Sequence, residues 1–251
     1  MISFMYQFFV NDEQINNNTV TILGPDVNHI KNVLRMKKGE EINVSNGHDG
    51  REYRCGILEY TNDSVICELR FIKEDSHELP NKVFLFQGLP KGDKMESIIQ
   101  KNVELGVFEI IPVKMRRCVM KIDEKKVPQK IARWQEIAVA AAKQSKRGII
   151  PKITNPMTVK EALIYAKEHC DIKLLPYEMA EGMEYSRKLV GGIKDTDSVA
   201  IFIGPEGGFD PEEVALSKEA GFSEITLGKR ILRTETAGMF VMSVLSFLFE
   251  K

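Results

Sequence analysis

The sequence predicts an α/β protein in which a small all-β domain precedes a larger parallel α/β domain. Three observations carry this. The first ~75 residues hold short runs of β-branched and aromatic residues separated by turn residues. Beyond Lys82 strands alternate with helices, the pattern of a parallel sheet covered by helices on both faces. The chain has 251 residues, 43% of them hydrophobic, enough to bury a core without metal or disulfide staples.

In the first domain, Met1 to Val10 reads as a strand. It is apolar but short and lacks a basic lead, so it makes a poor signal peptide. Thr19 to Leu23, Glu41 to Ser45, Glu52 to Leu58 and Val65 to Phe71 read as further strands, with turn chemistry at Asn46-Gly47 and Asn62-Asp63. A helical piece around Asp26 to Arg35 interrupts them. This spacing fits a small barrel or sandwich. Residues 74–82 are polar, contain Pro80-Asn81 and read as a linker between a domain at 1–73 and another at 83–251.

In the second domain Val83 to Gln87 is a buried strand. Asp93 and Glu96 are spaced as a capping box for a helix that runs to Leu105 and stops at Gly106. Phe108 to Val113 is the next strand. Pro128 suits the first turn of a helix that carries Trp134, Ile137, Ala138, Ala141 and Ser145 on one face and ends at Gly148. Thr158 and Glu161 form a second capping box, for a helix to about His169. Ile172 to Leu175 and Val199 to Ile203 are strands. Asp210, Pro211 and Glu213 open a helix closed by Gly221, Ile225 to Leu227 is a short strand, and a last helix starts near Glu235.

Formal net charge is -1, which leaves the partner open. Its distribution is uneven. Lys91 to Lys152 holds 15 Lys and Arg against 7 Asp and Glu, whereas Ile153 to Lys229 holds 8 against 14. A basic segment in a neutral chain is an electrostatic footprint for phosphates, or else a solvated helix face. Cys55, Cys67, Cys118 and Cys170 are scattered without a CxxC, which argues against a zinc ribbon and a disulfide scaffold and fits reduced thiols in the cytoplasm. No apolar run reaches the ~18 residues of a membrane span.

Two stretches carry chemistry. Ile201 to Phe209 followed by Asp210-Pro211-Glu212-Glu213 is a hydrophobic strand, a glycine-rich turn and a helix start. Gly204, Gly207 and Gly208 let the backbone approach a ligand at the carboxyl end of a parallel strand, where ligands of such sheets gather. The stretch is neither GxxxxGKS nor GxGxxG, which disfavours a P-loop NTPase or kinase and an ordinary dinucleotide fold. A tight turn with no ligand is the alternative. Leu227 to Ala237 is again strand, loop and helix start, with Arg233, Thr234, Glu235 and Thr236 crowding the helix entry. Thr234 is placed to cap, and the alternative to a site is an N-cap with a surface ion pair.

GPEGGF with LGKRILRTETA resembles the SPOUT superfamily of methyltransferases, and within it the family that methylates N3 of a uridine in 16S ribosomal RNA. The resemblance extends to Asn102-Val-Glu-Leu-Gly-Val107, to Ala140-Ala-Ala-Lys-Gln-Ser-Lys-Arg147 and to His29-Ile-Lys-Asn-Val-Leu-Arg-Met36, and so covers nearly the whole chain. Two positions depart from the family pattern: Gln7 stands where the first strand usually carries Arg, and Arg117 is followed by Cys118 rather than Ser.

The resemblance implies a PUA-like RNA-binding barrel at residues 1–73 and, at 83–251, an α/β domain with a deep trefoil knot, working as a homodimer on 16S RNA or the small ribosomal subunit. It implies S-adenosylmethionine as cofactor, held by Leu175 and Pro176, by Gly204, Pro205, Glu206, Gly207 and Gly208, and by Leu227, Gly228, Ile231, Leu232, Arg233, Thr234, Thr236 and Ala237. Uracil N3 carries a proton and is a weak nucleophile until it leaves, so a guanidinium beside the ring oxygens would stabilise the developing anion. Arg233 is the expected catalytic residue; the alternative is that it holds Glu235 or a loop carbonyl. No histidine lies in the cofactor loops and no general base stands out. Arg35, Lys91, Lys94, Arg116, Arg117 and Arg147 are the expected RNA contacts, positioning the phosphates of an unpaired or flipped nucleotide. No metal is called for. The competing readings are methylation of another base or a ribose, and a non-catalytic RNA-binding assembly factor.

Overall fold

The computed structural model describes residues 5–74, 77–180 and 182–250; Met1 to Phe4 of the expected first strand lie outside them. The chain divides into two compact units, residues 1–78 with 142–150, and residues 79–141 with 151–251.

The first unit contains β1 (Gln7–Phe9), β2 (Ile15–Asn16), β3 (Thr19–Leu23), the short α1 (Pro25–Asn28), β4 (Glu41–Ser45), β5 (Glu52–Tyr60) and β6 (Ser64–Lys73). They form one six-stranded sheet in the order β1-β4-β5-β6-β3-β2. Alternation sets its two faces. Phe8, Val20, Ile22, Ile42, Val44, Tyr53, Cys55, Ile57, Val65 and Cys67 turn inward with Ile30 as a core. Register shifts at Arg54/Cys55 and Ile57/Glu59 between β5 and β6 add local twist and curl the sheet. The expected helix over 26–35 comes in two pieces, because α1 passes at His29–Val33 into a π-helical turn. Arg35 then leaves it with φ 53. Residues 142–150 pack in this unit: Lys143 Nζ lies 2.8 Å from an Asp26 carboxylate oxygen.

The second unit contains β7 (Val83–Gly88), α2 (Lys94–Glu104), β8 (Glu109–Lys114), most of α3 (Val127–Ser145), β9 (Lys152–Ile153), β10 (Met157–Thr158), α4 (Val159–His169), β11 (Ile172–Pro176), α5 (Met183–Gly191), β12 (Val199–Ile203), α6 (Pro211–Glu219), β13 (Ser223–Ile225) and α7 (Thr234–Phe249). Its seven strands run in the order β10-β8-β7-β12-β11-β13, with β9 beside β8, and every pairing is parallel. β7 and β12 lie at the middle and are buried along their whole length, which is why they read as unbroken hydrophobic runs. Phe86 and Phe202 meet there with ring centroids 6.0 Å apart.

The capping boxes at Thr158/Glu161 and Asp210/Glu213 are both present. The one expected at Asp93/Glu96 is not. Asp93 makes no side-chain cap with ψ at 11°, and Glu96 pairs instead with Arg133 at 3.4 Å. α3 ends at Ser145 rather than Gly148, because Lys146 turns the chain at φ 60. β13 ends at Ile225, two residues sooner than expected, so Thr226 and Leu227 leave the sheet. With all strands parallel, the exits of β7, β11, β12 and β13 share one edge, where such sheets collect ligands.

Candidate cofactor and RNA-methylation site

At that edge lies a cavity of about 320 Å³. Pro176, Tyr177 and Glu178 line it from the exit of β11, and Ile203 to Glu206 with Gly208 and Phe209 from the exit of β12. Thr226 to Thr234 with Ala237 close the third side, and Lys94 reaches in from α2.

Glycine makes the close approaches possible. A Cβ on Gly88, at the end of β7, would lie 2.7 Å from the backbone nitrogen of Pro205. Only a bare Cα lets β7 and the GPEGG turn come this near. Gly208 adopts φ +70, and its N–H closes the turn onto the carbonyl of Pro205 at 2.9 Å.

A buried polar chain ties the loops together. The Gln87 side-chain amide donates to Thr234 Oγ1 at 2.9 Å, and the Thr234 hydroxyl donates to the carbonyl of Gly204 at 2.6 Å. Thr234 therefore does not cap α7, as its sequence position predicts. It is the first helical residue and is buried, while Arg233 is the N-cap, its carbonyl accepting the N–H groups of Thr236 and Ala237.

The charges are distributed unevenly. Lys94 Nζ sits 2.9 Å from Glu206 Oε1 and 3.4 Å from Glu235 Oε2. Burial pushes the Glu206 carboxyl up, but the Lys94 ammonium and the backbone N–H groups around it outweigh this and hold it below the ordinary carboxylate range. The same hydrogen bond raises the Lys94 ammonium above its usual value. Glu235 is thus engaged by Lys94 and not by Arg233. Arg233 is exposed, and among the described residues no carboxylate forms an ion pair with its guanidinium. The cavity so combines apolar groups at Pro176, Leu227, Ile231 and Leu232, glycine main chain, and both signs of charge at Glu178, Lys94 and Arg233. That lining suits a nucleoside bearing a charged tail.

Comparison with known proteins agrees with this geometry. A family model described as an RNA methyltransferase domain matches residues 77–246, and one described as an RNA methyltransferase PUA domain matches residues 22–70. The chain is 37% identical over 236 residues to the ribosomal RNA small subunit methyltransferase E of Bacillus subtilis, covering 92% of this chain and 91% of that protein. The chain belongs to the ribosomal RNA small subunit methyltransferase E family. A crystal structure of the Neisseria gonorrhoeae family member bound to S-adenosyl methionine superposes with a TM-score of 0.81 at 30% identity, covering 98% of each chain. A Legionella pneumophila methyltransferase crystallised with the same cofactor gives 0.82 at 33% identity and 96% of each chain. A PUA-like curled sheet followed by a parallel α/β domain, as expected, is the architecture of this family member.

The structure brings most of the expected cofactor residues to one cavity: Pro176, Gly204 to Glu206, Gly208, Leu227, Gly228, Ile231 to Thr234 and Ala237. Three expected residues lie outside its lining. Leu175 is fully buried in the sheet core. Thr236 is exposed on α7. A Cβ on Gly207 would meet Arg117, 3.0 Å from its Cβ and 3.1 Å from its carbonyl oxygen, so this glycine serves the contact with the segment after β8.

The expected RNA contacts are dispersed. Arg147 is 2% exposed and forks onto Glu78, so it is a structural ion pair out of reach of phosphate. Arg116 pairs with Asp210 at 2.9 Å and Glu212 at 2.8 Å, and Arg117 lies 3.8 Å from Asp210. Lys94 lines the cavity at the strand exits. Arg35 and Lys91 are exposed. Sequence reasoning missed Lys94 as a cavity residue, and also Glu178, Ile203, Phe209, Thr226, Lys229 and Arg230. Ile203, Phe209, Lys229 and Arg230 sit inside the two motifs and Thr226 adjoins the second, so Lys94 and Glu178 are the ones without a local signal. Cys55, Cys67 and Cys170 are buried, which pushes their thiols up to about 12, as suits structural rather than reactive cysteines.

Proposed function

We propose that this chain transfers the methyl group of S-adenosylmethionine to N3 of a uridine in 16S ribosomal RNA of the small subunit. The observation that carries the reading is the cavity at the shared strand exits, in which GPEGG and LRTETA loops meet around Arg233, whose guanidinium pairs with no carboxylate among the described residues.

The cavity residues fit the cofactor. Backbone groups of Gly204 to Glu206, of Gly208 and of Thr226 to Leu232 offer donors and acceptors to adenine and ribose, Pro176, Leu227 and Ile231 cover the ring, and the charged groups meet the amino-acid end. The bound cofactor supplies a methyl group already activated on a sulfonium. The protein's task is orientation and charge. Lys94 fixes Glu206 and Glu235, which holds the GPEGG turn against the first turn of α7. Gln87 and Thr234 hold Arg233 at the helix entry. The Arg233 guanidinium stabilises the negative charge that uracil O2 and O4 gain as the N3 proton leaves.

In this reading the backbone threads these loops as a trefoil knot, and the protein acts as a homodimer in the cytoplasm. Support for the dimer is the face of α7 that leaves Phe240, Phe247 and Leu248 exposed at helical spacing. Support for the compartment is four free cysteines. No helix among the described residues is long and apolar enough to cross a membrane.

The test is transfer of labelled methyl from S-adenosylmethionine to small-subunit RNA, with the product mapped by reverse transcription, which stops at N3-methyluridine because that edge no longer pairs. A stop at one uridine is expected. Saturable binding of S-adenosylhomocysteine without any transfer to subunits or free RNA would favour a non-catalytic assembly factor.

A further inference from the structure

A uracil N3 cannot attack a methyl group until its proton has an acceptor. The described residues that line the cavity include no histidine and two carboxylates, Glu178 and Glu206. The surroundings of these two differ.

Glu206 is engaged. Its oxygens accept the backbone N–H of Lys91 at 3.1 and 3.3 Å, and Lys94 Nζ lies 2.9 Å away. These contacts hold its carboxyl below the ordinary range, which makes it a poor proton acceptor. Glu235, beside it, shares the same ammonium at 3.4 Å. Glu178 is different. Among the described residues no hydrogen bond or ion pair engages its carboxylate, and its side chain is exposed at the cavity rim, open to an incoming base.

The backbone that carries Glu178 is fixed. The Tyr177 N–H donates to the carbonyl of Ile225 on β13 at 3.0 Å, and the Tyr177 carbonyl accepts the N–H of Ala180 at 3.1 Å. The Tyr177 ring meets Phe209 edge-on, with centroids 6.3 Å apart. Glu178 is therefore the second residue of a closed turn. Its Oε1 lies 3.7 Å from the position a Cβ would take on Gly208, so the carboxylate stands over the GPEGG turn. The other charged groups that open onto the same cavity are Lys94, Lys229, Arg230 and Arg233. All of these are cations, so none competes with Glu178 for a proton at neutral pH.

We propose that Glu178 is the catalytic base, which accepts the N3 proton of the target uridine. The proposal rests on the methylation reading above and deepens it. In-line transfer brings N3 to the methyl group, beside the amino-acid end of the cofactor, where the charged groups of the cavity stand. The N3–H bond breaks and the proton passes to a Glu178 carboxylate oxygen. The electron pair left on N3 forms the bond to the methyl carbon, and the pair of the broken C–S bond stays on sulfur. Glu178 and Arg233 so divide the ionisation of uracil between them, one taking the proton and the other stabilising the charge on O2 and O4. Exposure lets Glu178 return the proton to solvent.

The test is single-turnover methyl transfer to small ribosomal subunits across a range of pH, with calorimetric titration of S-adenosylhomocysteine on the same samples. Glu178→Gln keeps the shape and cannot take the proton. It should lower transfer at neutral pH by about 100-fold or more, leave S-adenosylhomocysteine affinity within about twofold of wild type, and recover as alkaline pH ionises N3 unaided. Glu178→Asp, which retains a carboxylate, should keep the wild-type pH profile at a reduced rate. A Glu178→Gln rate equal to wild type overturns the proposal, as does a loss that alkaline pH does not relieve. A parallel fall in S-adenosylhomocysteine affinity also overturns it, by making the carboxylate a cofactor-binding group. The wild type alone decides the methylation reading: a product mapped anywhere but N3 of a uridine overturns that reading and this one together, whereas with N3 confirmed the variants decide only the role of Glu178.

Discussion

The side-chain amide of Gln87 donates to the hydroxyl of Thr234 at 2.9 Å across 147 positions of sequence. The bond joins the exit of β7 to the entry of α7, and the Thr234 hydroxyl extends it to the carbonyl of Gly204 at the exit of β12. Three segments remote in sequence share one proton-donating chain beneath the cavity. Thr234→Val keeps the shape but removes both links and strands a buried amide, at a cost of about 1–3 kcal/mol. Thr234→Ser retains them. Urea denaturation should therefore rank wild type and Thr234→Ser above Thr234→Val, and S-adenosylhomocysteine titration should give the same order. Equal behaviour of the Val and Ser variants would show the hydroxyl to be dispensable.

Arg233 is exposed at the N-cap of α7, with no carboxylate paired to it among the described residues. Its removal should not disturb the fold. Arg233→Ala is expected to lower single-turnover methyl transfer by about 100-fold or more, the scale for loss of one charge-stabilising donor. The melting temperature should stay within ~2 °C, because exposed changes lie within about 0.5 kcal/mol. Unchanged turnover would leave Arg233 as a helix cap and nothing more.

β7 and β12 were legible because a strand buried on both faces must be a hydrophobic run. The capping box at Thr158/Glu161 was legible because all its partners lie within four residues. Asp93/Glu96 has the same spacing, but Arg133, from another helix, claims Glu96. Thr234 looked like a cap because Gly204 and Gln87, its actual partners, are distant in sequence. Lys94 and Arg147 looked alike as basic residues, yet one enters the cavity and the other is buried on Glu78. Local rules found the elements and the loops; partners supplied by other elements decided what each side chain does.

The Lys94–Glu206 pair sets a pH window. Glu206 titrates below its ordinary value of 4.5, so its contribution is present above that value and is lost as pH falls through the lowered one. Lys94 titrates above 10.5, so its contribution is present below that and is lost as pH rises through the raised value. Cofactor affinity should be flat between these limits as far as this pair is concerned. Lys94→Met removes the ammonium that holds Glu206 down and leaves only the backbone N–H groups to oppose burial. Its acid limb of S-adenosylhomocysteine binding should move to higher pH. Superimposable acid limbs would show that Lys94 does not govern Glu206.

Gly88 tests whether closeness of the loops matters independently of their chemistry. It touches no charge of the cavity, but a Cβ there would lie 2.7 Å from the Pro205 nitrogen and 2.8 Å from both Pro205 Cδ and Met115 Sδ. The methionine sulfur can move; the Pro205 backbone can yield only if the GPEGG turn shifts away from β7. Overpacking of this kind costs about 1–3 kcal/mol, and here the displaced segment is the cavity wall. Gly88→Ala should weaken S-adenosylhomocysteine binding by more than tenfold. Met115→Ala in the same chain relieves the sulfur clash but not the backbone one, so it should restore little. Full restoration by that second change would place the constraint on the side chain and free the turn from any demand for glycine at this position.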